Sequence, residues 1–151
     1  MAEIKGLDKL IRKIKSLEGL RAARTALQAG AIHVKGKVDT YPPATIANSP
    51  GNPTGRWYER GYGPRWQLKS GGVGGRKTSE TLGRKWTTAS RNAGLTQIIG
   101  NNVSYGVFAQ GDRQARFHKE RGWKTIEKVA DEESEAVLRF VKQYIDRQLE
   151  E

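Results

Sequence analysis

All five prolines of this 151-residue chain lie within residues 41–78, together with eight of its 18 glycines. Proline removes a backbone hydrogen-bond donor, and glycine loses more conformational entropy on ordering than any other residue. Both effects disfavour a long helix or a central strand, so we predict an extended loop over residues 41–78. A loop of this length inside a small domain is generally functional or disordered.

Helical periodicity flanks this segment on both sides. Apolar residues recur at three and four positions over residues 4–20 and about 20–38, with Gly19 as a stop signal between them. The strongest helical pattern covers residues 125–151, where a turn just before Asp131 would divide it. We therefore predict helices within residues 1–40 and a long C-terminal helix. The basic first helix suits a core-facing position or, less simply, a membrane surface.

The pattern between residues 79 and 110 is typical of short strands. Residues 85–90 and 95–99 are rich in β-forming side chains, and the turn signal Asn92-Ala93-Gly94 separates them. Residues 105–109 suit either a strand or a helix. We predict a β-meander or hairpin over residues 79–110, followed by a loop and the C-terminal helix over residues 111–151. The whole chain is then a single α+β domain with a short antiparallel sheet.

The distribution of charge indicates acidic or polyanionic partners. The formal net charge is +11, and residues 1–126 carry 23 basic and 8 acidic side chains. Residues 127–151 reverse this balance, with four basic and eight acidic side chains. A basic body with an acidic tail can stack on copies of itself or bridge two partners. The simpler interpretation of the tail is a solvated acidic helix.

Basic and aromatic side chains interleave within the predicted loop. This combination occurs where proteins bind nucleic acids and where they bind other proteins. A third interpretation is that the aromatic side chains fold back onto their own domain. The candidate contacts with a partner or with DNA are Arg56, Trp57, Tyr58, Arg60, Tyr62, Arg65, Trp66, Lys69, Arg76 and Lys77.

The sequence offers few candidates for chemistry. The glycine-rich run at residues 70–78 departs from a phosphate-binding loop, because Arg76 stands where that pattern requires glycine before Lys77. The chain has no cysteine and two histidines, of which His118 lies near Glu120 among competing basic residues. We expect no enzyme activity, no cofactor and no metal site. No apolar run approaches the ~20 residues of a membrane span, so we also expect no membrane association and synthesis in the cytoplasm.

Three segments in a fixed order carry a family resemblance. They are Tyr41-Pro42-Pro43, Thr81-Leu82-Gly83-Arg84-Lys85-Trp86, and a third segment made of residues 99–111, 114–118 and 122–125. In this order they resemble the tail-completion or head–tail joining proteins of long-tailed bacteriophages. This chain has Glu80 and Gly106 where many members of that family have glycine and alanine. The resemblance implies structural roles for Leu82, Gly83, Trp86, Tyr105, Gly111, Phe117 and Trp123.

What the resemblance implies is a structural virion protein, made in the cytoplasm of a bacterial host. Members of the family assemble as a ring around the DNA channel at the head–tail junction. The implied partners are further copies of the chain, the head-completion or connector protein, and the tail tube or tail terminator protein, with nonspecific contacts to phage DNA. The residues alone leave two alternatives: a free nucleic-acid-binding module that uses residues 56–69, and a small hydrolase that uses His118 and Glu120.

Overall fold

Two long helices begin and end the part of the chain that the structure describes. The computed structural model describes residues 7–42, 45–52 and 55–150, so the predicted helix start at Ile4 lies outside it, as do Pro43 and Pro53. Helix α1 spans Leu7–Val38 and helix α5 spans Ile126–Glu150. The helices that lie between them are α2 (Thr81–Arg84), α3 (Gly106–Gln110) and α4 (Arg116–Glu120).

Both long helices are continuous where the sequence predicted interruptions. Gly19 lies inside α1, and Asp131 lies inside α5. Placing glycine in a helix costs only about 1 kcal/mol relative to alanine, and starting a new helix requires a costly first turn. The prediction of two N-terminal helices is therefore wrong, and so is the prediction of a division before Asp131.

Residues 56–75 form a three-stranded antiparallel sheet, so the prediction of one long loop over residues 41–78 is wrong for this part. The strands are β1 (Arg56–Glu59), β2 (Gly63–Gln67) and β3 (Val73–Gly75), in the order β1-β2-β3. Gly61 and Gly71, with φ of 81° and 86°, supply the left-handed backbone of the two hairpin turns. The glycines thus mark turns between short strands.

Proline is also compatible with this sheet. In β2 the backbone N–H and C=O groups of the even-numbered residues point toward β3. Pro64 is one of these residues, and the register would place it opposite Arg76. Arg76 lies beyond the end of β3, so the missing proline N–H removes no bond of the ladder. Composition alone hides this sheet, because proline and glycine disfavour long strands but also lie at the ends and turns of short ones.

The predicted strands at 85–90 and 95–99 are confirmed as the hairpin β4 (Trp86–Arg91) and β5 (Thr96–Asn101). Its turn contains three successive residues of positive φ: Asn92 at 50°, Ala93 at 53° and Gly94 at 90°. Of the two predicted arrangements, the structure has a single hairpin between α2 and α3, and residues 106–109 belong to helix α3 rather than to a strand. The predicted α+β class is confirmed, with a long C-terminal helix.

The chain divides into two compact units. The first comprises the residues through His33, Thr88–Ile98 and the residues from Glu133; the second comprises Val34–Thr87 and Ile99–Glu132. In the first unit α1 and α5 pack closely, because a Cβ at Gly30 would lie 2.9 Å from Val137. In the second unit Leu82, Ala109 and Trp123 form a buried cluster. Within the described ranges, no helix combines the length and apolarity needed to span a membrane.

Candidate partner-binding surface

An aromatic cluster underlies the three-stranded sheet. Tyr41 and Tyr58 stack with their ring centroids 5.6 Å apart, and the Trp123 ring meets both edge-on at 5.1 and 5.0 Å. Burial raises the pKa of Tyr58 to about 12, and burial followed by the charge of Glu80 raises the pKa of Tyr41. Both phenols are therefore neutral at physiological pH and serve as packing groups.

Two of the predicted partner contacts belong to the interior. Trp57 is only 4% exposed, and Tyr58 is half-buried within the aromatic cluster. The assignment of Trp57 as a partner or DNA contact is corrected on this basis, because its indole is buried. The ring packing of Tyr58 within the cluster supports, for this residue too, the interpretation that the aromatic side chains fold back onto their own domain.

The outer edge of β1 is covered by side chains of the same chain. Asn48 Oδ1 accepts a hydrogen bond from the backbone N–H of Tyr58. The carbonyl oxygen of Arg56 accepts from Asn52 Nδ2 at 2.6 Å and from Arg121 Nε at 3.0 Å. Asn48, Asn52 and Arg121 are all buried. These side chains close one edge of the sheet to further strands.

The role of these three side chains is not apparent from the sequence. Asn48 and Asn52 lie in the proline- and glycine-rich segment, where they resembled ordinary turn residues, and Arg121 resembled a surface cation. The pair of asparagines four positions apart is the one signal that the sequence offered. Only the fold brings Arg121 to them across more than 60 positions of sequence.

Two predicted basic contacts are held by acidic neighbours. Arg65 lies 3.3 Å from Glu59, with its guanidinium 4.5 Å from the centre of the Tyr62 ring. Arg60 lies 3.3 Å from Glu80, which also pairs with Arg84 at 3.8 Å. Because these cations are partly neutralised, they offer a polyanion less than their number suggests.

Glu80 occupies a conformation that favours glycine. Its φ is 53° and its ψ is 28°, in the left-handed region. A glycine there would avoid the steric cost that a Cβ incurs. Glu80 is one of the two positions at which this chain differs from the family it resembles, and the backbone conformation there favours glycine.

The remaining predicted contacts are exposed around β2 and β3. Trp66 is 41% exposed, and its indole covers Gly74, where an added Cβ would lie 2.5 Å from Nε1. Trp66 also lines a surface depression of about 400 Å³ together with Arg56 and Pro64. The other exposed members of the predicted set are Arg56, Arg60, Tyr62, Lys69, Arg76 and Lys77.

Most of the residues singled out by the family resemblance have packing roles. Leu82, Trp86 and Trp123 are buried. A Cβ at Gly111 would lie 2.7 Å from Val107 Cα, so the chain can leave α3 along this path only with glycine there. Gly83 makes a similar approach to the carbonyl of Asp39.

Two members of that set are placed differently. Tyr105 is 49% exposed at the start of α3, so its side chain lies at the surface rather than in the core. Phe117 is half-buried, with the Arg121 guanidinium 4.8 Å from its ring centre.

The structure does not bring His118 and Glu120 together as an acid–base pair. Glu120 pairs with Arg116 and with Arg121, and the hydrogen bond from Arg116 is the main cause of its lowered pKa. His118 instead packs beside Trp123 at 5.7 Å and Tyr58 at 6.1 Å, and burial lowers its pKa. In the described part of the chain, no group of three or more acidic or histidine side chains is arranged for a metal ion.

Comparisons with protein-family models, with curated proteins and with solved structures gave no match. The geometry of the second unit is therefore the basis on which a function is argued. Its main features are a packed aromatic cluster, one closed sheet edge, and an exposed basic and aromatic surface around β2 and β3.

Proposed function

We propose that this protein is a structural subunit of the head–tail junction of a long-tailed bacteriophage. It assembles there as a ring around the DNA channel and completes or joins the tail. Its partners are other copies of itself, the head-completion or connector protein, and the tail tube or tail terminator protein. Its location is the virion, after synthesis in the bacterial cytoplasm, and the chain acts without catalysis.

The observation that carries this proposal is the packing of the three resembling segments into one core. Tyr41 comes from the first segment, Leu82 from the second, and Val103 and Trp123 from the third. Leu82 and Trp123 belong to one buried cluster, against which Tyr41 and Val103 pack. The three segments thus contribute to one core although they are far apart in sequence. This supports the interpretation that the resemblance concerns the whole fold rather than three unrelated short matches.

The exposed apolar side chains support an assembling subunit. Among the described residues, 13 large hydrophobic side chains are exposed, against 11 hydrophobic residues in the core. Ile46 is 82% exposed, Leu138 68% and Ile32 56%. Single exposed side chains of this kind are common, but so many in a small chain favour surfaces that neighbouring subunits cover.

The charge distribution suits contacts between unlike faces of neighbouring copies. Arg76 and Lys77 are exposed after β3, whereas Glu127 and Glu135 are exposed on α5. A head-to-tail contact between two different faces closes into a ring when the rotation between copies allows it. Basic side chains that face the channel would contact DNA phosphates without sequence preference.

The experiment that tests the proposal is a phage genome with an early stop codon in this reading frame, imaged by negative-stain electron microscopy. We expect DNA-filled heads and separate tails, with intact virions restored when the wild-type protein is supplied from a plasmid. A plasmid carrying Trp123→Ala should fail to restore them, whereas His118→Gln should restore them. Intact virions from the stop-codon phage would overturn the proposal, and failure of His118→Gln alone, with a normally folded protein, would favour the hydrolase.

A second candidate function is a free nucleic-acid-binding module. The observation in its favour is the exposure of Trp66 next to Arg56 on β1, with Lys69 exposed beyond β2. Exposed aromatic rings and cations together suit stacking on bases and pairing with phosphates. Fluorescence anisotropy with duplex and single-stranded DNA distinguishes the two functions. The module requires tight binding by the purified chain that falls steeply with salt, and Trp66→Ala should weaken single-strand binding more than duplex binding.

A further inference from the structure

In the part of the chain that the structure describes, the three-stranded sheet has one covered edge and one edge with no further strand paired to it. Asn48, Asn52 and Arg121 cover the outer side of β1, as described above. β3 lies at the opposite end of the strand order, with β2 as its neighbour in the sheet. A sheet edge without cover is a template for one more strand.

The register shows which backbone groups face outward. In an antiparallel ladder, successive residues alternate between bonding to one neighbour and pointing away from it. Leu68 N–H donates to Gly72 C=O at 2.8 Å, and the register continues this pairing with Trp66 opposite Gly74. The N–H and C=O groups of Val73 and Gly75 therefore point away from β2, toward the open edge.

The side chains around this edge leave room for an incoming strand. Gly74 and Gly75 carry none, and Val73 is 47% exposed. Trp66, which covers Gly74, is 41% exposed, and Leu68, at the end of β2, is 45% exposed. A residue opposite Gly74 on a new strand would lie beside the indole, so small or branched apolar side chains suit the centre of that strand.

The positive charges at both ends of β3 favour an incoming strand that carries negative charges. Lys69 lies in the turn before β3, Arg76 and Lys77 follow it, all three are exposed, and residues 68–79 contain no acidic side chain. Antiparallel pairing of two copies through β3 would bring these cations together, and like charges across a pair of strands are destabilising. Acidic residues at both ends of the incoming segment would instead be attracted.

We infer that β3 is a docking edge for an extended segment of another protein, with a small apolar centre and acidic residues at each end. The segment adds a fourth strand through the backbone groups of Val73 and Gly75. This is β-strand addition, in which main-chain hydrogen bonds supply affinity and side chains supply selectivity. Nucleic acid fits this edge less well, because its phosphates accept hydrogen bonds but cannot donate to the outward carbonyls. The inference does not depend on the proposed role in the virion.

The test uses the full chain labelled with ¹⁵N and two acetylated, amidated peptides, EEVTVEE and its matched control KKVTVKK. We expect EEVTVEE to shift the amide signals of residues 68–77 and to slow hydrogen exchange at Val73 and Gly75. The basic control should bind about tenfold more weakly, since only its end charges differ. Equal affinity for both peptides, or shifts confined to other residues, would overturn the inference.

Two variants test separately the contributions of backbone pairing at β3 and of the charges beside it. Val73→Pro removes one outward N–H while leaving Gly74, which faces β2, unchanged, and it should weaken EEVTVEE binding about tenfold. Arg76→Glu with Lys77→Glu should reverse the preference toward KKVTVKK. The double variant Arg139→Glu and Lys142→Glu on α5 changes the net charge equally and should keep the preference for EEVTVEE.

Two further outcomes would assign the edge elsewhere. Shifts of the Val73 and Gly75 amides with protein concentration, in the absence of peptide, would mean that a second copy occupies the edge. Shifts caused by duplex DNA but not by EEVTVEE would mean that the cations around β3 serve nucleic acid. Either result would refute docking of an acidic strand.

Discussion

Ala93 stores steric strain that a single substitution should release. It lies in the turn between β4 and β5 with φ 53° and ψ 34°, in the left-handed region. Its side chain is exposed, so replacing it with glycine removes no buried contact. The substitution Ala93→Gly therefore isolates the backbone contribution.

Two opposing terms set the magnitude. The left-handed conformation costs a residue with a Cβ about 1 to 2 kcal/mol relative to glycine. Glycine gains about 0.5 to 1 kcal/mol of conformational freedom in the unfolded chain, which opposes this benefit. The two ranges leave a net stabilisation by Ala93→Gly of at most about 1.5 kcal/mol, centred on about 0.75 kcal/mol, which corresponds to about 1.5 to 3 °C in Tm for a chain of this size.

Urea unfolding followed by tryptophan fluorescence measures the change. The matched control is Ala89→Gly, an exposed position inside β4, where the same substitution should destabilise by about 0.5 to 1 kcal/mol. The two variants should thus move the midpoint in opposite directions. A midpoint for Ala93→Gly at or below that of the wild type, with an unchanged slope, would refute the reasoning.

Three further substitutions test packing and titration. Trp123→Ala should destabilise by about 3 to 5 kcal/mol in urea unfolding, whereas Trp66→Ala, at an exposed site, should cost well under half as much. Gly111→Ala should lower the thermal midpoint because its Cβ meets Val107, whereas Gly36→Ala, with open space on α1, should raise it. Burial lowers the pKa of His118, so protonation favours the unfolded chain and stability should fall as pH drops below about 6.5. His118→Gln should flatten that decline in urea midpoints measured between pH 7.5 and about 5.

Periodicity predicted the helical character of α1 and α5 and the strands of the β4–β5 hairpin because these features are encoded locally, although it did not predict that α1 is a single helix. The apolar repeat of α5 and the turn residues at 92–94 are read without knowledge of the rest of the fold. The sheet of residues 56–75 escaped prediction because its strands are short and carry several glycines. Its turns depend on positive φ at Gly61 and Gly71, which composition does not distinguish from a flexible linker.

Exposure of the candidate contacts could be predicted only in part. The interleaving of cations and aromatic residues marked a set of candidates, of which Trp66, Lys69, Arg76 and Lys77 are exposed. The same pattern could not separate Trp57, which is buried, from Trp66, because which face of β1 meets the core depends on contacts from residues far away. Arg121 is the clearest case, since its role depends on reaching the Arg56 carbonyl.

The covered edge of β1 limits how far the sheet can extend through pairing at β3. Among the described residues, only the β3 edge of this sheet is left without such cover, so one copy can accept a strand on one side only. Folded copies therefore cannot join β1 to β3 into a continuous sheet that runs through many copies. Any ring or larger array must be held by other surfaces, and side chains such as Asn48 protect the protein against runaway edge-to-edge aggregation.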